Sequence, residues 1–153
     1  LAPVIGILFV TLENRALPEI SLDGFPLRST DKLRYGDTDR QGHVNNAVFS
    51  TFLETGRVAA LYDPQAPLAE PGCTFVIARL TIDFLAEILW PGEVVVGTRV
   101  ASVGRSSMHM EQAIFQNGKC VAMSQSVIVQ MDEASRKSRP LSAGCVAQLE
   151  AWR

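Results

Sequence analysis

The sequence is 153 residues long, 47% hydrophobic and 20% charged, which suits one domain, or one domain plus a short appendage, with an ordinary globular core. A formal net charge of −2 provides no electrostatic footprint for DNA or RNA, so nucleic-acid binding is set aside. Three scattered cysteines (Cys73, Cys120, Cys145), no CxxC, and only His43 and His109 as imidazoles exclude a zinc pattern; the cysteines read as small buried hydrophobes of a reducing, cytoplasmic compartment.

Residues 1–27 form an N-terminal extension punctuated by Pro18, Gly24 and Pro26. Its opening run, "LAPVIGILFV", is too short to span a bilayer and has neither a preceding basic residue nor a small-residue cleavage site. It reads as an extra strand or an arm packed on a partner subunit. "LRSTDKLRY" (27–35) then reads as the first strand of the main domain, 28–141.

Directly after that strand comes "YGDTDRQGHVNNAVF" (35–49), which crowds two aspartates, a histidine and two asparagines before a helix. A turn needs one or two such residues, so the surplus calls for another explanation. The helix is predicted over 46–62, where Val48, Phe49, Phe52, Leu53, Gly56, Ala59 and Ala60 share one arc. Asn46, Ser50, Glu54 and Arg57 fall opposite, with Val58 and Leu61 also outside the arc. An apolar surface that wide predicts burial on more than one side. Asn45 is the expected N-cap, with Val44 and Phe49 as a hydrophobic staple. The amides of Asn46, Ala47 and Val48 would then lack intrahelical acceptors. Asp63-Pro64 ends the helix.

From 73 to about 131 the pattern is β: "CTFVIARLTIDFLAEI" (73–88), "VVVGTRVASV" (94–103), "SSMHMEQAIFQ" (106–116) and "KCVAMSQSVIVQM" (119–131). Asn117-Gly118 is a two-residue hairpin signal. In the last strand Val121, Met123, Val127, Val129 and Met131 share one face. Cys120, Ala122, Ser124, Ser126 and Gln130 share the other, which is expected to meet solvent or another subunit. A short C-terminal helix over 142–153 stacks Val146, Leu149 and Trp152. The expectation is an α+β fold, one long helix wrapped by an antiparallel sheet of about five strands.

The stretch "RYGDTDRQGHVNNAVFSTFLETGR", with the long strand, "PGE", "VGRSS" and "RPL", resembles hotdog-fold acyl-CoA thioesterases of the 4-hydroxybenzoyl-CoA thioesterase-like group, over about residues 30–141. In that family two subunits pair into a continuous sheet with the active site at their interface. The resemblance implies that Asp39, the second aspartate of D-x-D-x-x-G-H-V-N-N, attacks the thioester carbonyl or activates water. It also implies an acyl-CoA substrate, or acyl carrier protein, and a homodimer or tetramer; nothing in the sequence suggests a cofactor, a metal or a membrane span. Asn46 and Ala47 stand where some relatives carry histidine or tyrosine, so the chain is closer to the "HVNN" subgroup associated with fatty acyl thioesters.

The residues support this chemistry independently. Thioester hydrolysis needs a nucleophile or base and donors for the developing oxyanion, and a helix N-terminus offers both free amides and a positive dipole end. Asn46 is the first candidate donor and Ala47 the second. Gly42, His43 and Asn45 support the site: the glycine lets the loop bend, the histidine bonds within the loop or orients Asp39 or water, and the asparagine caps. Asp37 reads as structural. Glu54 is the alternative to Asp39, because in another branch of hotdog thioesterases the catalytic carboxylate is carried on the helix, although Glu54 could simply pair with Arg57. Arg105, Arg136, Lys137 and Arg139 are the cations available for CoA phosphates, or else solvated surface charge. The rival functions are a non-catalytic acyl-CoA-binding module on the same fold, and a dehydratase built on a carboxylate and His43.

Overall fold

The computed structural model describes residues 19–153. The apolar run at 1–10 therefore lies outside the described residues. A sheet of five antiparallel strands, β1 (Leu27–Lys32), β2 (Cys73–Phe84), β3 (Glu93–Val103), β4 (Ser107–Gln116) and β5 (Lys119–Asp132), is ordered β1-β3-β4-β5-β2. Helix α1 (Asn46–Leu61) lies across one face, and α2 (Ala143–Glu150) covers the same face beyond its C-terminal end. This is the hotdog arrangement: one central helix and a sheet bent round it. No helix among the described residues is long and apolar enough to cross a membrane.

Strand alternation explains which side chains meet the helix. At successive levels the inner face reads Val96, Ile114 and Ala122, then Thr98, Gln112 and Ser124, then Val100, Met110 and Ser126. Phe49, Phe52 and Leu53 of α1 enter this layer with Val94, Val96, Ile114 and Ile88, each large side chain contributing about 1.5–3 kcal/mol by leaving water. Beyond the C-terminal end of α1, Leu61 meets Phe75, Met108, Met110, Ile128, and Cys145 and Leu149 of α2.

Two expectations are corrected here. The small polar face of β5 does not meet solvent: Ala122, Ser124, Ser126 and Gln130 are all buried, on the helix side, while Cys120 and Val121 exchange faces at the irregularity opposite Ile114 and Phe115, Val121 joining the core and Cys120 the outer cluster. Ala122 joins the core beside Phe49, Phe52 and Leu53, and the apolar row Met123, Val127, Val129 and Met131 is the outer, half-buried one. The first strand is also shorter than 27–35, because Tyr35–Asp37 curls into a 3₁₀ turn. The hairpin at Asn117-Gly118 has φ of 51° and 78°, the pair of left-handed residues a tight antiparallel turn requires.

Part of the N-terminal extension has a visible place. Ile20, Leu22 and Phe25 cover the outer face over Ala113, Phe115, Cys120 and Met123. The Phe25 ring lies where a Cβ on Gly97 would be, 2.7 Å from its Cγ, and the Arg99 guanidinium sits 5.2 Å from the ring centroid. An aromatic ring thus replaces the missing side chain of a strand glycine.

Candidate active site

The polar motif folds as a miniature hairpin between β1 and α1. Thr38 and Val44 form an isolated bridge, the Asp39 N–H donates to the His43 carbonyl at 2.8 Å, and the Gly42 N–H donates to the Asp39 carbonyl at 3.1 Å. Gly42 has φ of 84° with open space where a Cβ would stand, so its role is conformational and not one of close approach. Asp39 sits at the corner. Its Oδ1 accepts from the Gln41 N–H at 2.8 Å and the His43 N–H at 3.4 Å. Its Oδ2 has no partner among the described residues. One oxygen thus anchors the carboxylate and the other is left free.

Asp37 is the clamp. It is 3% exposed, accepts the Arg34 guanidinium at 2.7 and 3.0 Å and the Arg34 N–H at 2.8 Å, and its own carbonyl accepts the Asn45 N–H at 2.8 Å. Burial alone would push its carboxyl up; the hydrogen bonds and charge of Arg34 outweigh burial and hold it below the usual carboxylate value. The folded state therefore favours the charged form, and that stabilisation is full at neutral pH and lost as pH falls from about 4 through the depressed folded value. Asp37→Asn should lower Tm at pH 7 and flatten the fall of Tm on acidification below about pH 4, measured by thermal melts across pH; a wild-type acid limb in the variant would contradict this role.

Helix α1 begins as expected, with one correction at its amides. Asn45 Oδ1 accepts the Ala47 N–H at 2.9 Å, and the Asn45 carbonyl accepts the Val48 N–H at 2.9 Å. Ala47 is therefore occupied by the cap, so its amide is not an unengaged oxyanion donor. Only the Asn46 N–H, of the three, has no acceptor among the described residues. Asp39, Gln41, His43, Val44, Asn46, Phe49, Phe84, Leu85, Ala86 and Glu87 line one cleft of about 300 Å³. Its apolar wall carries an edge-to-face pair, Phe49 and Phe84, with centroids 5.0 Å apart. The cleft is thus lined by Asp39 and Asn46, whose Oδ2 and N–H have no partner among the described residues, and by an aromatic pair. Glu87, whose Oε2 lies 2.7 Å from His43 Nε2, was missed by the sequence reading because it sits over 40 positions away, in a stretch expected to be strand.

Other candidates are not brought there. Glu54 lines a separate groove between α1 and β2 with Arg57, Val58, Tyr62, Phe75 and Ile77, two helical turns or about 12 Å beyond Asn46. Arg57 does not pair with Glu54 on an exposed face. It is 8% exposed beneath the helix and donates from Nη1 to Gln112 Oε1 at 3.1 Å. Burial presses its pKa down, an effect Glu54 opposes, yet a guanidinium stays charged at any working pH. Gln112 is in turn fixed by donating to the Leu53 carbonyl and Thr98 Oγ1, each at 3.0 Å. Gly56 makes room, since a Cβ there would stand 2.9 Å from Gln112 Nε2 and Val96 Cγ1.

Arg105, Arg136, Lys137 and Arg139 do gather, but at the far end of the sheet. The Arg105 carbonyl accepts the Leu141 N–H, and Arg139 reaches Asp132 at 3.6 Å and Cys73 Sγ at 3.6 Å. Cys73 starts β2 and Phe84 ends it, so these cations stand roughly 35 Å from the Asp39 cleft of the same chain.

Residues 33–149 match the family model of the thioesterase-like superfamily. Among solved structures, a thioesterase of Thermus thermophilus complexed with coenzyme A and zinc is 35% identical, with a TM-score of 0.70 over 82% of this chain and 98% of that one. A Pseudomonas aeruginosa protein is similar at TM-score 0.78 and 24% identity, over 89% of this chain and 97% of its own. The DHNA-CoA thioesterase of Staphylococcus aureus is similar at TM-score 0.73 and 18% identity, over 82% and 91%. The last two speak to the fold alone. No curated protein matches the chain significantly.

Proposed function

The chain belongs to the thioesterase-like superfamily, and on that footing we propose that it hydrolyses an acyl-CoA, a fatty acyl one, to free acid and CoA. The observation that carries this reading is the pairing, in one cleft, of a carboxylate with one unengaged oxygen and a helix N-terminus with one unengaged amide. Asp39 is the catalytic carboxylate. Its Oδ2 either attacks the thioester carbonyl, releasing CoA thiolate and leaving an acyl-aspartyl anhydride for water to cleave, or takes a proton from water as that water attacks the carbonyl. The Asn46 N–H, at the positive end of the α1 dipole, receives the oxyanion in both routes. Phe49 and Phe84 provide apolar surface for the acyl group. Glu54, in its separate groove, loses ground as the alternative carboxylate. The T. thermophilus relative, crystallised with CoA, supports CoA as the carrier.

The distant cations fit this reading if two copies pair. Among the described residues strand β2 is an edge of 12 residues, with Ile77 and Phe84 each about half exposed. An unpaired edge of that length is a template for another strand. A two-fold axis would set β2 against its copy antiparallel, carrying the partner's Cys73 end, with its basic cluster, toward this chain's Phe84 end. Arg136 and Lys137 are then the cations for CoA phosphates. Reversing both, Arg136→Glu with Lys137→Glu, should raise KM for acyl-CoA about 10-fold with kcat held. An unchanged KM would return them to solvated surface.

The direct test is thiol release from short, medium, long and aromatic acyl-CoAs. Turnover with a preference for fatty acyl chains supports the reading. Binding without release from any of them overturns it in favour of a non-catalytic acyl-CoA module.

A further inference from the structure

Glu87 and His43 meet at the mouth of the cleft, with side chains 54% and 37% exposed, and the backbone on either side of the contact is fixed. The Leu85 and Ala86 N–H groups donate to the Val121 carbonyl at 2.9 and 3.1 Å, and the Ile88 carbonyl accepts the Val44 N–H at 2.9 Å. His43 and Leu89 form an isolated bridge, and Leu89 exchanges hydrogen bonds with the Gln116 side chain at 3.0 and 2.7 Å. Glu87 is held between these anchors, one residue from each, with its carboxylate 2.7 Å from His43 Nε2. Both residues line the Asp39 cleft, where Asp39 is the other acidic residue.

A carboxylate only accepts hydrogen bonds, so His43 Nε2 carries the proton that joins the two. In the neutral ring that leaves Nδ1, which has no partner among the described residues, as the acceptor. We propose that Glu87 is a positioning residue of the reaction centre. It holds His43 in the Nε2–H tautomer so that Nδ1 accepts a hydrogen bond from the water that cleaves the thioester or its acyl-aspartyl intermediate. The inference rests on the thioesterase reading above. It assigns His43 to water and Asp39 to the carbonyl or the proton, a division of labour the motif alone does not reveal.

The test compares wild type, Glu87→Ala and Glu87→Gln in acyl-CoA turnover and in nitrogen-15 NMR of the imidazole. With only two histidines in the sequence, His109→Gln leaves His43 as the single signal. Glu87→Ala should lower kcat about 10- to 100-fold with KM within about twofold, and its neutral ring should shift from Nε2–H toward a mixture of tautomers. Glu87→Gln keeps an acceptor and should recover most of both. A surface ion pair would instead make Ala and Gln equivalent, with kcat at the wild-type level and Nε2–H unaltered, which would overturn the proposal. A tautomer change without a kcat change, in a protein that Asp39→Asn inactivates, overturns the catalytic assignment while sparing the thioesterase reading. Absence of wild-type turnover removes that reading and this inference together.

Discussion

Asp39→Asn should lower kcat for acyl-CoA hydrolysis by about 10²–10⁴-fold while leaving Tm and KM near wild type. Asparagine is the informative substitution because of how the carboxylate is held. Oδ1 accepts the Gln41 and His43 N–H groups, and an asparagine carbonyl can accept both, so the hairpin corner keeps its shape. What changes is the unengaged Oδ2, which becomes an NH₂ that can neither attack a carbonyl nor take a proton from water. Alanine would remove the turn's anchor along with the chemistry, and lost activity would then have two explanations. Thiol release by the folded Asn variant, beside a melt of the same sample, is the measurement. A variant as active as wild type would show that Asp39 is a turn residue, and Glu54 would become the carboxylate to test.

Gln112→Leu should lower stability by about 2–4 kcal/mol, a fall in Tm of roughly 5–15 °C for a chain of this size, measured at matched protein concentration. The two side chains are similar in size, so little cavity is left. The cost is electrostatic. Gln112 is fully buried and supplies the Arg57 guanidinium with its acceptor in the structure, while its amide donates to Thr98 and Leu53. Leucine strands a buried cation and a buried hydroxyl. Adding Arg57→Met should return a large part of the loss, because removing both members of a buried polar pair costs far less than removing one. Strict additivity in the double variant, or a single-variant loss under about 0.5 kcal/mol, would mean that water, not Gln112, satisfies Arg57.

The contrast between these two residues shows where local reading reaches its limit. Asp39 stood out because the motif around it is contiguous: the cap, the turn glycine and the aspartates lie within ten residues and act on one another. Arg57 was placed on the polar side of α1 because helical periodicity ranks residues by hydropathy. Nothing local signals that a glutamine 55 positions later will meet a guanidinium under the helix. The face of β5 was inverted for the same reason. Alternation sorted Ser124 and Ser126 from Met123 and Val127 correctly, but which set faces the core is decided by the register of β5 against β4, which sets Ser124 beside Gln112 and Ser126 beside Met110, and not by the polarity of β5 itself.

Glu87 and the basic cluster mark the same boundary at the candidate site. The amides of α1 could be counted from its first residue, yet the capping bond to Ala47 had to be seen to leave Asn46 as the unengaged donor. By itself the amino-acid order determined the elements, their sequence along the chain, the capped helix start and the family, all products of interactions spanning a few residues. The tertiary structure alone decided which face of β5 is buried, that Glu87 reaches His43, and that the phosphate-binding candidates lie a strand's length from Asp39. Those outcomes depend on strand register and on backbone contacts between segments far apart in sequence, where no periodicity or spacing carries the information.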